Sequence, residues 1–109
     1  MTEHLPAVER SVWLPARPEV VWRFLTSGVL VADWFGGPVS MEARPGAGIE
    51  FRPGDGELRW GTVEDVATGK RIQWTWRTDE GEPSEVAITL DGEGDGTRVT
   101  VVERLVPYV

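Results

Sequence analysis

The sequence predicts an α+β fold: one strand, two short helices, then six strands of an antiparallel meander. Three observations carry this. Ile72, Trp74 and Trp76 alternate with Gln73, Thr75 and Arg77, the period of two expected of a half-buried strand. Val21, Trp22 and Leu25 recur at helical spacing. From residue 38 onward, short runs rich in Gly, Pro and Asp punctuate every apolar run, and turns this short join antiparallel neighbours.

The elements follow in order. VERSVWL, Val8 to Leu14, reads as the first strand. In PARPEVVWRFLT, Pro18 suits a first helical turn, where its missing N–H would be unpaired anyway, and Gly28 ends the helix. VLVADWF reads as a second short helix that offers Val29, Leu30, Ala32 and Trp34 for packing and leaves Asp33 at the surface. Gly36, Gly37 and Pro38 break it. PVSMEAR and GIEFR flank a turn at Pro45–Gly48, and PGDGE makes the next turn. LRWGTVEDVA, KRIQWTWR, SEVAITL and TRVTVVERL complete the sheet, separated by ATGK, DEGEP and DGEGDG. Val86, Ile88 and Leu90 share a face of their strand, and Val99, Val101 and Leu105 share a face of theirs, together with Glu103.

The 109 residues suffice for one domain, and 40% hydrophobic and 27% charged residues are ordinary for a globular protein. A net charge of −7 argues against nucleic acid, which needs a concentrated basic surface, and against docking on anionic lipid. With no cysteine, disulfides and thiolate chemistry are excluded. No run approaches the ~20 apolar residues of a membrane span, and MTEHLPAVERSV lacks the pattern of a signal peptide. A cytoplasmic location is expected.

In order and in motif, the chain resembles the START-like (SRPBCC) superfamily, in the branch named for the activator of the heat-shock-protein-90 ATPase. Ala16, Pro18, Val21, Trp22, Leu25, Thr26 and Trp34 stand where that branch has its opening motif. Arg44, Pro45, Gly46 and Gly48 resemble its Arg-Pro-Gly-Gly hairpin, and Gly61, KRIQWTW and GDGTRVTV its later strands. The resemblance implies a helix-grip: a curved antiparallel seven-stranded sheet around an apolar cavity. It implies that Trp74 and Trp76 face the concave side. The long C-terminal helix of the family has no counterpart here, since the chain reaches Tyr108 and Val109 directly after TVVERLVP.

The residues supply little catalytic equipment. The only histidine, His4, sits at a terminus, where order is usually lowest. The acidic groups Asp79, Glu80, Glu82 and Asp91, Glu93, Asp95 lie in turns without calcium-loop spacing, and PGAG and PGDG are not phosphate loops. No metal or cofactor is implied. Glu103 is the ionisable residue of most interest: facing a cavity it could act as acid or base, whereas the preferred reading leaves it wet or paired with Arg104 or Arg77. Trp22 and Trp34 are expected in the core; Trp13, Trp60, Trp74 and Trp76 could fill a core or line a cavity.

The expected function is non-enzymatic binding of a hydrophobic small molecule or an apolar partner surface. The cavity lining is expected from Phe51, Trp60, Trp74, Trp76, Ile88, Val101 and Glu103. The alternatives are an enzyme of the polyketide cyclase or hydrolase type, needing Glu103, Arg77 or Arg104 in a closed pocket, and a co-chaperone. With the grip unfilled, the sheet would expose a large apolar patch. A homodimer covering the concave face, burying on the order of 2,000 Å², is the simplest remedy; self-filling by the tryptophans is the other.

Overall fold

The computed structural model describes residues 7–54 and 56–106. β1 (Ala7–Leu14) is followed by α1 (Pro18–Thr26), α2 (Val29–Phe35), β2 (Val39–Met41), β3 (Gly48–Phe51), β4 (Arg59–Ala67), β5 (Arg71–Arg77), β6 (Ser84–Glu93) and β7 (Gly96–Leu105). All pairings are antiparallel, and the seven strands stand in the order β1-β7-β6-β5-β4-β3-β2. The meander from β2 to β7 is thus unbroken, and β1 closes onto its far edge. The expected α+β architecture is present, and among the described residues no helix follows β7.

Local chemistry explains the boundaries. Pro18 opens α1, and Gly28 at φ 84° serves both as its exit and as the N-cap of α2. A side chain there would meet the Val39 carbonyl oxygen at 2.5 Å, so glycine is needed for space as well as for conformation. The last hairpin is tighter than the DGEGDG run suggests. β6 and β7 pair as far as Glu93–Gly96, leaving only Gly94 and Asp95 as the loop, with Gly94 at φ 60°.

Both helices lie on the inner face of the sheet, the face bearing Ile72, Trp74 and Trp76. Val21, Trp22, Leu25 and Val31 join residues from β3 to β7 in one buried cluster. Trp74 and Trp76 are 0% and 1% exposed. Trp76 stacks on Phe51, with centroids 5.3 Å apart and planes at 22°. It meets Phe35 of α2 edge-on at 5.2 Å and Trp74 edge-on at 5.4 Å. The indole N–H of Trp74 is buried without a hydrogen-bond partner among the described residues, a cost of about 1–3 kcal/mol that the surrounding ring contacts offset.

This packing answers the demand for cover. Of the ten residues Ile49, Phe51, Ile72, Trp74, Trp76, Val86, Ile88, Leu90, Val99 and Val101, nine are buried by the chain itself. The apolar area that would demand an obligate dimer is therefore mostly absent; the aromatics and two helices fill the grip. What remains open is the β1–β7 side, where Val8, Val12 and Leu105 are 57%, 40% and 37% exposed.

Between Val63 and Asp65 the β4–β5 register shifts by one residue, a β-bulge. It lets Val63 and Val66, of opposite parity, both turn toward the core side. Gly61, opposite Trp76, lies where the two strands press together, and a Cβ there would collide with the Thr75 carbonyl oxygen and the Trp76 Cα. Gly61→Ala should therefore lower the unfolding free energy by about 1–3 kcal/mol or more. Gly48→Ala, whose Cβ would meet nothing closer than 4.0 Å, should stay within about 0.5 kcal/mol of the parent. Urea unfolding of the two variants checks the contrast.

Candidate functional site

A cleft of about 560 Å³ opens beside the filled core, between α2 and the β1–β7 pair. Val8 and Val12 come from β1, Val99 and Val101 from β7, and Trp34 and Phe35 from the end of α2. Register explains the strand contribution: Val8, Arg10 and Val12 pair with Glu103, Val101 and Val99, so all six side chains point to the inner face. Phe35 forms the partition between the two compartments, touching Trp76 and Phe51 on one side and bordering the cleft on the other.

Glu103 stands where this cleft meets a smaller one, of about 310 Å³, that it also lines together with Val8, Arg59 and Ser84. Its Oε2 accepts hydrogen bonds from Ser84 Oγ at 2.9 Å, Trp76 Nε1 at 3.1 Å and Arg59 Nη1 at 3.3 Å. Arg59 in turn lies over the rings of Trp76 and Phe51, at 5.4 and 5.9 Å from their centroids. The ion pair is partly wet, with side chains 37% and 26% exposed, so its Coulomb contribution is modest; three donors on one oxygen give it positional definition. Oε2 is thereby held in place from three sides.

The structure sorts the expected lining residues into three groups. Val101 and Glu103 do border the cleft. Phe51, Trp74, Trp76 and Ile88 face the inner side but are at most 3% exposed, so they form the core and offer a ligand no surface. Trp60 is on the opposite face, 43% exposed, paired with Arg77, which lies over its ring, and donating from Nε1 to Asp79. The bulge is the reason: Trp60 has the parity of Val66, and only past the bulge does that parity point inward.

Glu103 is paired, but with Arg59 and not with the arginines expected. Arg104 faces outward and bonds Glu85, and Arg77 is engaged with Trp60. Trp34, expected in the core, is half-buried and walls the cleft, whereas Trp22 is buried as expected. Trp13 is on the outer face, donating from Nε1 to the Glu93 carbonyl. Sequence reasoning missed Val8, Val12, Arg10 and Arg59; the parity of VERSVWL against VTVVERL could have found the first three. His4 lies outside the described residues. Away from the cleft, at the β6–β7 hairpin, hydrogen bonds from Arg98 hold the Glu93 carboxyl below the usual carboxylate range. Among the described residues no group of three or more His, Asp or Glu could hold a metal, and no helix is long and apolar enough to cross a membrane.

Residues 15–108 match the family model described as activator of Hsp90 ATPase homolog 1-like protein. The chain belongs to that family. Among solved structures it is similar to DynU16, from the dynemicin biosynthetic locus, at 30% identity and a TM-score of 0.77, with 91% of this chain covering 37% of that one. It is similar to MLL2253 from Mesorhizobium loti at 20% identity and a TM-score of 0.81, covering 94% and 78%. It is also similar to the Aha1 dimer from Colwellia psychrerythraea at 18% identity and a TM-score of 0.74, covering 95% and 79%. The last two likenesses bear on the fold alone. The chain spans little more than a third of DynU16, so that protein's activity does not transfer with the fold. No curated protein matches the chain.

The Glu103 cluster yields a stability contrast. Glu103→Gln keeps an acceptor for Trp76, Ser84 and Arg59 and should cost about 1 kcal/mol; Glu103→Leu strands all three donors and should cost about 2–3 kcal/mol. Chemical unfolding of both variants gives the difference, and equal stabilities would show the cluster to be energetically idle.

Proposed function

We propose that this family member is a non-enzymatic binding module whose site is the β1–β7–α2 cleft, and that its ligand is a hydrophobic small molecule. One observation carries the reading: an apolar cleft of about 560 Å³ stays open although the adjacent core is filled. That volume is in the range of small-molecule sites. Against an enzyme of the cyclase or hydrolase type stands the state of Glu103, whose Oε2 accepts from three donors, with no histidine among the described residues to activate Ser84.

A second reading has an apolar protein surface as the occupant. The exposure of Val8, Val12 and Leu105 on the inner face favours it, and a second copy is the natural candidate because a solved relative is a dimer. The family's description suggests a chaperone ATPase as another partner, through the same surface.

Val12→Asp separates these readings from the absence of a site, because Val12 is on an edge strand and 40% exposed, so the change spares the core. The parent chain should raise the fluorescence of a neutral apolar dye such as Nile red, and Val12→Asp should lose most of that rise at an unchanged thermal midpoint. Sedimentation at low micromolar concentration tells the occupants apart. A dimer that Val12→Asp dissociates would favour the partner reading, and a monomer that binds dye would favour the ligand. A monomer that leaves the dye dark would end both.

A further inference from the structure

Arg10 stands in the middle of the β1 stripe that borders the cleft, between Val8 and Val12 and opposite Val101. Among the described residues it makes no ion pair and no side-chain hydrogen bond, whereas Arg17, Arg44, Arg52, Arg59, Arg71, Arg98 and Arg104 each have a carboxylate partner. The one carboxylate that lines the cleft with it, Glu103, is bonded to Arg59. Arg10 is exposed, so its guanidinium stays hydrated and available; Arg23 and Arg77 also lack a carboxylate partner among the described residues, but of the three only Arg10 borders this cleft. The chain as a whole carries −7, so an uncompensated cation on the inner face runs against its general balance.

We infer that the cleft selects amphiphilic organic anions: a flat apolar body against Trp34, Phe35 and the valines, with a carboxylate received by Arg10. The inference rests on the small-molecule reading above and narrows its ligand class. Arginine suits the role because its planar fork meets a carboxylate with two parallel hydrogen bonds and is less strongly hydrated than an ammonium. Its long apolar stem can lie along Val8 and Val12 while the head reaches the cleft mouth. The position of Glu103 adds an orientation. At the other end Glu103 and Arg59 already satisfy each other, so within this cleft Arg10 is the cation left to receive the anion, and the apolar body runs beneath α2. The plain alternative is that Arg10 guards an edge and does nothing more: inward-pointing charge on an edge strand discourages pairing with other chains. That role needs no ligand and gives affinity no dependence on ligand charge.

Three size-matched probes decide between them: naphthalene-2-acetic acid, its primary amide, and the corresponding amine. Each is titrated into the full chain, with the methyl resonances of Val8, Val12, Val99 and Val101 as the readout. The acid should bind roughly tenfold or more tighter than the amide, the gain expected of a charge-assisted pair. Arg10→Gln should bring the acid to the level of the amide and leave the amide unchanged; Arg10→Glu should prefer the amine. Equal binding of acid and amide to the parent chain, or a preference that survives Arg10→Gln, would overturn the inference and leave the binding reading standing. Failure of all three probes to move those methyls would remove the binding reading and this inference together. Should an Arg10 variant misfold, the acid–amide comparison on the parent chain still decides the question.

Discussion

The packing around Trp76 is the constraint on which the rest of this fold depends. One side chain on β5 stacks on Phe51 of β3, meets Phe35 of α2 edge-on, lies under Arg59 of β4 and donates to Glu103 of β7. Four strands and a helix are thereby fixed relative to one ring. Aromatic pairs of this kind add about 0.5–1.5 kcal/mol each beyond the area they bury. A buried indole N–H left without an acceptor, as in Trp74, costs stability, and Glu103 on the inner face of β7 spares Trp76 that cost. Glu103, which looks anomalous in the stripe Val99, Val101, Leu105, is thus explained by a residue on another strand.

The same packing decides where a site can exist. The large rings are placed toward β3–β6, where α1 and α2 cover them. β1 and the outer half of β7 are faced across the cleft by α2's last turn, through Trp34 and Phe35. The inner face therefore divides into a filled compartment and an open one, with Phe35 as the wall between. An occupant of the open compartment would touch the aromatic core through Phe35 and the polar network through Glu103, without entering either.

Much of this architecture was legible in the sequence, and the failures have particular causes. The alternation in RIQWTWR and the punctuation by Gly and Pro sufficed for seven strands, their antiparallel pairing and a shared face for Trp74 and Trp76; the family resemblance supplied the direction of that face. The bulge after Val63 could not be read from LRWGTVEDVA, because a one-residue slip leaves no compositional mark, and it sent Trp60 to the wrong face. The cleft was misplaced for a different reason. Large apolar residues suggest a lining, yet the largest are the ones most completely consumed by packing. The residues left to line a cleft are the smaller ones at the edge, Val8 and Val12, and these are inconspicuous in any sequence. Arg59 was invisible because its partner lies 44 positions away.

A binding surface on an edge strand must also avoid being an aggregation surface. β1 is an edge of the sheet, with unpaired backbone groups along one side and exposed valines on its inner face. Alternating charge within the same strand addresses this. Glu9 and Arg10 put opposite charges on opposite faces, so the first half of β1 is polar on both sides. An incoming strand would have to desolvate both. A small molecule entering under α2 need meet only one of them. The device that protects the edge and the feature that would choose a ligand's charge are then the same side chain. That economy is available because the sheet alternates its faces residue by residue, while the cleft reads only one of them.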